Sequence, residues 1–495
     1  MSEAHANPHH AKRWLILGVI AIAQLMVVLD ATIVNIALPS AQHDLGFGDD
    51  ARQWIVTAYA LAFGSLLLLG GRIGDLIGRK RVFVIGLLGF AGASVVGGFA
   101  QSFSVLVSAR ALQGVFGALL APGALSLLST TFTEPEERGK AFGVFGAVAV
   151  GGAAIGLLLG GILTEYLSWR WCLYVNLLIA IPAALAATAL LHNEVPAIRP
   201  KLDIPGAVTA SAGLFAIVYG FSNAHTHSWS APFTIGMLIA GLVLLASFVA
   251  IQARSAHPLL PLRVVLDRDR GGSFLAMVLA GSGMLAVFLF LTFYLQQTLG
   301  FSPIKAGLAF LPMTGTIIIA ATAGSTKLLP KFGPRPLIGA GMVIASAGLV
   351  TLTSVGVHTA YATHVLPGLL IMGAGMGLVF SSAMATATFG VEPKDAGVAS
   401  AMVNTMQQVG GSIGTALLST IAASATTGQL AGHVPSRALI SQAAVHGYAT
   451  AFWWAAAIFA TGAVLCTALL SSRSRAVAAT GAERGSHGEP AAVAV

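Results

Sequence analysis

Charged residues are scarce in this chain of 495 residues, and the scarcity argues against a soluble protein. Only 9% of the residues are Asp, Glu, Lys or Arg, against about 25% in an ordinary soluble domain, while 56% are hydrophobic. Cysteine is nearly absent: Cys172 and Cys466 form no pattern, so neither a disulfide framework nor a metal site is predicted. No P-loop sequence and no series of nucleophile, base and orienting group occurs, which argues against an ATP-driven pump and against an enzyme.

Long apolar runs take the place of charge. Runs long enough to cross a hydrocarbon core of about 30 Å recur from Trp14 to Leu470, and they lack the alternation of barrel strands, so each is predicted to be a helix. The first run is too long, and Asp30 too costly within it, for a cleaved signal peptide. The fourteen predicted spans are 14–38, 52–71, 82–101, 104–130, 139–164, 171–191, 204–223, 231–252, 273–297, 303–326, 336–356, 364–389, 396–423 and 449–471.

The basic residues predict the orientation of these spans. With the amino terminus inside, all but five of the 26 Lys and Arg residues fall in inner segments; the exceptions are Arg52, Arg170, Lys305, Arg437 and Arg110. This bias follows the positive-inside rule, so a multi-pass protein of the cell membrane with both termini in the cytoplasm is predicted. Because the bases are spread over many inner segments, topology explains the net charge of +8, and no nucleic-acid partner is expected.

A weak internal repeat divides the chain into two halves. Residues 326–337 align with residues 71–82, each stretch joining two spans on the inner face, so that Gly333 matches Gly78. The repeat is displaced by eight spans, as expected for two six-helix halves separated by an inserted pair. The predicted organisation is an N-terminal tail (1–13), a first half (14–191), the inserted pair with its flanking loops (192–270), a second half (271–471) and a disordered tail (472–495).

Asp30 is the only acidic residue within a predicted span, and Arg110 is the only basic one away from the first turn of a span. A charge at membrane depth costs about 2.5–3.5 kcal/mol on insertion scales, so Asp30 is expected to face the bundle interior, where a carboxyl group can exchange protons. The alternative is a permanently paired structural acid. Arg110 shares a helix face with Gln113, and its alternative is snorkelling to the nearby membrane boundary. Because Asp30→Asn removes a buried charge, it is expected to leave the protein stable.

Polar side chains in otherwise apolar spans are candidates for lining a substrate cavity. For each of them, hydrogen bonding between helices is at least as good an explanation. The set contains few charges, which favours a small lipophilic substrate that is neutral or singly charged. The candidates are Gln24, Asn35, Gln113, Tyr294, Gln297, Asn404, Gln407 and Gln408.

Several stretches, in order along the chain, resemble one family of membrane transporters. GGRIGDLIGRKRV (70–82) resembles the inner loop of the major facilitator superfamily, and LDATIVNIALP (29–39) resembles the first-span motif of its fourteen-helix drug/proton antiporter branch. The likeness covers essentially the whole membrane portion. It continues in RALQGVFGA (110–118), WRWCLYVN (169–176), LDIPGA (202–207), FYLQQTLGFSPIKAGLAFLP (293–312), GAGMGLVF (373–380) and NTMQQVGGSIGTAL (404–417).

The resemblance implies an all-α major facilitator fold and a proton gradient as the energy source, without a cofactor. It implies that Asp30 and Arg110 couple transport to protons. It also implies an inner gate in a tight glycine turn, where the acid and bases hold the outward-facing state closed on the inside; the alternative is a solvated turn with incidental charges. The implied gate residues are Gly71, Arg72, Gly74, Asp75, Gly78, Arg79 and Lys80.

Span 5 departs from the family pattern. The family's antiporter motif has a glycine-proline pair there, whereas this chain has Gly156 followed by Leu157. Gly152, Gly156 and Gly160 still repeat every four residues, which predicts close packing against another helix. The missing proline weakens the association with export.

The predicted function is proton-coupled efflux of lipophilic drugs, dyes or antibiotics by alternating access. The expected partners are the substrate, protons and the lipid bilayer; the sequence makes no prediction of oligomeric state. Alternatives are a lipid exporter or a dedicated exporter of one natural product, and, from another class, a non-transporting sensor or scaffold.

Overall fold

The computed structural model describes residues 12–49, 51–132, 134–191, 203–391, 396–434 and 436–471, and every long element in this part of the chain is an α-helix. Among these residues, thirteen helices are long and apolar enough to cross a membrane, and α5 carries a shorter apolar stretch, Gly151–Tyr166. The predicted fourteen helices are confirmed. They are α1 (Arg13–Leu45), α2 (Gln53–Ile77), α3 (Arg79–Gly98), α4 (Phe103–Thr131), α5 (Pro135–Tyr166), α6 (Trp171–Leu190), α7 (Ile204–His227), α8 (Pro232–Arg254), α9 (Arg268–Phe293), α10 (Pro303–Ala323), α11 (Pro334–Leu352), α12 (Leu366–Thr388), α13 (Ala396–Leu430) and α14 (Arg437–Leu469).

Both described termini lie at the same end of the bundle. Arg13, which begins α1, forms an ion pair of 2.7 Å with Glu137 in the first turn of α5. Ser471, just beyond α14, donates its hydroxyl to Asp269 in the first turn of α9. This end is called the terminal end below, and the opposite end, which holds the loop between α1 and α2, is called the distal end.

The last two helices are longer than their predicted spans. Helix α13 continues to Leu430 and α14 begins at Arg437, so helix replaces most of the segment expected between spans 13 and 14. Ser436 starts α14, because its hydroxyl accepts the backbone amide of Leu439 as an N-cap. Hydropathy finds the apolar part of such a helix and misses the polar turns that extend from it.

Helix α7 of the inserted pair, α7 and α8, packs against both halves of the bundle, α1–α6 and α9–α14. At the distal end, Gln53 and Trp54 of α2 donate to the hydroxyl of Ser222 in α7 at 2.9 and 3.0 Å. Thr420 of α13 donates to the carbonyl of Phe221 at 2.8 Å. Helix α7 therefore bridges α2 of the first half and α13 of the second.

Glycine permits the closest contacts between helices. A Cβ atom added to Gly70 of α2 would lie 2.0 Å from the carbonyl oxygen of Ala118 in α4. One added to Gly410 of α13 would lie 1.9 Å from the carbonyl oxygen of Val278 in α9. Real Cβ atoms do not approach oxygen so closely, so these contacts require glycine at both positions.

Candidate functional site

Asp30 lies in α1 and is completely buried inside the first half. Arg110 of α4 donates to one carboxylate oxygen at 2.5 Å. Gln113, one turn further along α4, and Asn176 of α6 donate to the other oxygen at 2.9 and 2.7 Å. The carboxylate thus accepts three hydrogen bonds, which compensate for its removal from water.

Arg110 has further partners that do not involve the acid. Its Nε donates to the carbonyl of Ile55 in α2 at 3.1 Å, and one terminal nitrogen donates to Gln113 at 2.7 Å. The guanidinium carbon lies 4.4 Å from the centre of the Tyr59 ring, a cation–π distance. Arg110 is 2% exposed, so snorkelling to the membrane boundary is excluded. The cation is held between α2 and α4 as well as by α1.

Ser94 of α3 completes this polar network. Its hydroxyl accepts the side-chain amides of Gln113 at 2.7 Å and Asn176 at 3.2 Å, and donates to the carbonyl of Phe90 at 2.8 Å. The Oδ1 atom of Asn176 has no hydrogen-bond partner among the described residues. The network links α1, α3, α4 and α6, so a change in the charge of the acid acts on four helices together.

The sequence singled out Asp30, Arg110 and Gln113 separately, and the structure brings them together. It did not single out Ser94 or Asn176. A signal was available, because each is polar at membrane depth and Asn176 ends one of the stretches that carry the family resemblance. Polarity in a span indicates an interior position without indicating the partner.

At the distal end, the two halves contact each other through a buried cation. Arg52, the N-cap residue of α2, is 8% exposed. Its guanidinium carbon lies 4.2 Å from the ring centre of Phe293 in α9 and 5.6 Å from that of Tyr448 in α14. Asp49 accepts a hydrogen bond from Arg52 at 3.3 Å and supplies the counter-charge. The sequence placed Arg52 in an outer loop and gave it no role in the site.

Two further hydrogen bonds join the halves at the distal end. Gln296, in the turn that follows α9, donates to the carbonyl of Ile36 in α1 at 2.9 Å. The backbone amide of Ile304 in α10 donates to Glu165 near the end of α5 at 3.1 Å. Together with Arg52, these contacts close the seam between the halves at this end.

The glycine repeat of α5 packs against α1. A Cβ atom on Gly156 would lie 2.0 Å from the hydroxyl oxygen of Thr32, and one on Gly160 would lie 2.9 Å from the carbonyl oxygen of Ile33. A Cβ atom on Gly152 would lie 3.0 Å from the side chain of Leu25. Leu157, where the family has proline, is fully buried in a continuous helix. The carbonyl oxygen of Leu157 also excludes a side chain at Gly307 of the facing helix α10, because a Cβ atom there would lie 2.4 Å from that oxygen.

Four of the cavity candidates keep unpaired polar groups. Gln24 of α1 and Asn404, Gln407 and Gln408 of α13 are half-buried and make no hydrogen bond with the described residues. The Cβ atom of Gln408 also packs on Gly64 of α2, at the contact between the halves. These uncharged amides remain the best candidates for polar contacts with a substrate.

The other four cavity candidates lie in different surroundings. Tyr294 is a correction: it is fully buried, and its hydroxyl donates to the carbonyl of Gly356 at 2.8 Å, so it anchors the loop after α11. Gln297 is exposed at the distal end, and its place in a cavity stays a prediction. Asn35 donates to the carbonyl of Ala31 in its own helix at 2.9 Å, while its Oδ1 atom has no hydrogen-bond partner among the described residues. Gln113 belongs to the Asp30 network.

The turn between α2 and α3 is shorter than predicted. Helix α2 continues to Ile77, so Gly71 and Gly74 lie within it, and only Gly78 has a positive φ, of 99°. The helix continues because the backbone amide of Gly78 still bonds to the carbonyl of Gly74. Gly333, its counterpart in the internal repeat, has a φ of 78° and likewise separates two helices. The two matched glycines therefore have the same place in the backbone.

Arg72 and Lys80, two of the predicted inner-gate residues, form hydrogen bonds at the terminal end. Arg72 donates to the carbonyl of Pro258, in the segment after α8, at 2.8 Å. Lys80 donates to the carbonyl of Thr188 in α6 at 2.7 Å. The side chain of Asp75 lies outside the described part of the structure, so its part in the gate stays a prediction.

A bundle of fourteen apolar helices, with two halves joined across one end and a buried ion pair within one half, has the architecture of a multi-pass membrane transporter. The chain belongs to the Major Facilitator Superfamily, whose family model matches residues 20–415. The family resemblance inferred from the sequence is thereby confirmed.

Named relatives support this membership, and one solved structure shares the fold. It is 49% identical over 472 residues to the puromycin resistance protein pur8 of Streptomyces alboniger, which covers 95% of this chain and 94% of that one. It is 40% identical over 417 residues to the cephamycin export protein CmcT of Amycolatopsis lactamdurans, with coverage of 83% and 86%. The fold matches an inward-facing, unoccupied bacterial homologue of the human lysosomal transporter Spinster, with a TM-score of 0.66, 16% identity and coverage of 92% and 97%.

Proposed function

We propose that this protein exports lipophilic antibiotics across the cell membrane in exchange for protons, by alternating access. The substrate class is supported by relatives named for puromycin resistance and for cephamycin export. The observation that carries the coupling to protons is the fully buried Asp30 beside Arg110, since a carboxylate so placed marks a proton pathway.

In this proposal, the proton changes the contacts between helices. When Asp30 takes up a proton, its ion pair with Arg110 is lost and the carboxyl group becomes a donor as well as an acceptor. Arg110 keeps its bonds to Gln113 and to the carbonyl of Ile55, so it stays with α2 and α4 while α1 loses its strongest link to α4. The arrangement with the ion pair and the arrangement without it thus bind the proton with different affinities, and proton uptake shifts the balance between them.

The orientation proposed here places the terminal end in the cytoplasm, where the basic residues concentrate. The distal closure by Arg52 then seals the outside, and its opening releases the substrate from the cell. The turn at Gly78 with Arg72 and Lys80 closes the terminal end in the alternate state. Uncharged amides such as Asn404 and Gln407 suit substrates with few charges.

The alternative within transport is a dedicated exporter of one natural product. It is favoured by the relatives, since pur8 and CmcT are each named for one antibiotic. A dedicated exporter moves one compound of a chemically diverse panel, whereas a multidrug exporter moves several. The two candidates share the same coupling and differ in the cavity.

The test is transport by the purified chain in vesicles with an imposed pH gradient and a pH-sensitive dye inside. Puromycin is the first compound, followed by a panel of antibiotics, dyes and lipids. We expect a compound-dependent proton flux that is lost in Asp30→Asn and kept in Glu134→Gln, which removes an exposed carboxylate at the terminal end. Transport without proton flux would exclude the coupling, and no transport of any compound would exclude export.

A further inference from the structure

A groove of about 860 Å³ runs between α11 and α14 on the outer surface of the second half. The two helices touch closely at its floor, where a Cβ atom on Gly339 would lie 2.4 Å from the Thr467 hydroxyl and Ser346 donates to the carbonyl of Ala456 at 2.8 Å. Small side chains keep the groove open above this floor. Its walls include Ala340, Val343, Ala347, Val350, Ala460 and Val464.

The groove has the length and polarity of a lipid tail. It extends along α11 from Arg335 to Val350, which corresponds to about 22 Å at a rise of about 1.5 Å per residue. Half of a hydrocarbon core of about 30 Å is shorter than this, so the groove can take an acyl chain over the full depth of one leaflet. Val343 and Val464 are 57% and 69% exposed, so this face is turned outward.

The mouth of the groove at the terminal end is positively charged. Arg335, in the first turn of α11, lines the groove and makes no hydrogen bond or ion pair with the described residues. Arg268 lies at the same end, where it donates to the carbonyls of Ala468 and Leu469. The neighbouring acid, Asp269, is occupied by the amide and hydroxyl of Ser471. An unpaired guanidinium beside a helix N-terminus is suited to a phosphate.

We propose that the groove binds one anionic phospholipid of the leaflet at the terminal end, with an acyl chain between α11 and α14 and its phosphate on Arg335. A second copy of the chain fits less well, because an apolar helix in the groove would bury the guanidinium of Arg335 without a counter-charge. This binding site is independent of the proposed transport function, since it lies on the surface of the second half, away from Asp30.

Native mass spectrometry of the purified chain in mild detergent tests the site. Phosphatidylglycerol and phosphatidylcholine with identical acyl chains are titrated separately. We expect one phosphatidylglycerol molecule to bind more tightly than phosphatidylcholine. Arg335→Gln should weaken phosphatidylglycerol about tenfold, which corresponds to about 1.4 kcal/mol, and leave phosphatidylcholine unchanged. Ala347→Phe, which fills the groove, should weaken both lipids.

The control is Arg254→Gln, which removes an exposed arginine at the end of α8, outside the groove. It should leave both affinities unchanged, and size-exclusion chromatography should show all variants folded. Equal phosphatidylglycerol binding by the wild type and Arg335→Gln would overturn the headgroup assignment. If the protein is a dimer and Ala347→Phe dissociates it, the proposal of a bound lipid is wrong and a second copy of the chain occupies the groove.

Discussion

Replacing either Asp30 or Arg110 by a neutral residue is expected to lower the free energy of unfolding, although the replacement removes a buried charge. Asp30 is 0% and Arg110 2% exposed, and their charged atoms are 2.5 Å apart. Breaking a buried pair by removing one partner costs about 3–5 kcal/mol, because the remaining charge is left without compensation. The sequence-based expectation that Asp30→Asn leaves the protein stable is therefore revised, because Arg110 would lose its counter-ion.

The two single variants should differ. A carboxyl group left alone can neutralise itself by taking up a proton, whereas a guanidinium keeps its charge in proteins. We therefore expect Asp30→Asn to lose about 3–5 kcal/mol and Arg110→Gln to lose less. The double variant should cost less than the sum of the two, with a coupling energy of about 2 kcal/mol or more, because it leaves no charge in the site.

The measurement is reversible unfolding in detergent, followed by the fluorescence of the seven tryptophans. A matched control cycle uses the Arg13–Glu137 pair, which has a similar separation of 2.7 Å but side chains that are 20% and 28% exposed. Its coupling should be at most about 1 kcal/mol, as for other solvent-accessible pairs. If the Asp30 and Arg110 changes prove additive, the pair does not hold α1 to α4, and the mechanism of coupling proposed above fails.

Three further predictions address the distal closure, the helix contacts and the substrate. Arg52→Gln should open the distal end, because it removes a desolvated cation–π contact worth up to about 2 kcal/mol; unchanged labelling of distal cysteines in the seam would argue against this closure. Gly70→Ala should cost about 1–3 kcal/mol through overpacking, whereas Gly74→Ala in the same helix, with nothing within 4 Å of its Cβ, should be neutral or stabilising in the same unfolding assay. Bis-cationic compounds should be exported poorly compared with a monocation of similar size, because Asp30 is enclosed by protein donors and offers no counter-charge; efficient, gradient-driven export of the dication in vesicles would contradict this.

The number, order and kind of helices could be predicted from the sequence because their cause is local. A run of apolar residues long enough to cross the membrane must satisfy its own backbone, which fixes helix without reference to the rest of the chain. The limits of the helices were less predictable. Residues 437–448 are too polar to count as a span, yet they continue α14, since Ser436 caps the helix and no proline follows within it.

The residues Asp30 and Arg110 of the candidate site could be predicted from the sequence, but the contact between them could not. Asp30 and Arg110 are conspicuous because charge is expensive at membrane depth, but 80 residues separate them, and only the packing of α1 against α4 brings them together. Arg52 shows the opposite case. Its position next to a loop is ordinary for an arginine, and its burial arises from Phe293 and Tyr448, which are contributed by the other half of the chain.

The inserted pair must take part in alternating access, because it is bonded to elements on both sides of the seam. At the distal end, the Ser222 hydroxyl of α7 accepts a hydrogen bond from α2, and Thr420 of α13 donates to the carbonyl of Phe221 in α7. At the terminal end, Arg72 of α2 donates to the carbonyl of Pro258, in the segment after α8. If the halves rock against each other, α7 can follow only one of them, so one set of these bonds must break. Each is worth about 0.5–1.5 kcal/mol net, so the cost of breaking one set is a few kcal/mol and lies within what proton or substrate binding can supply. The pair is thus compatible with rocking, and we expect it to bias the protein toward the distal-closed state seen here.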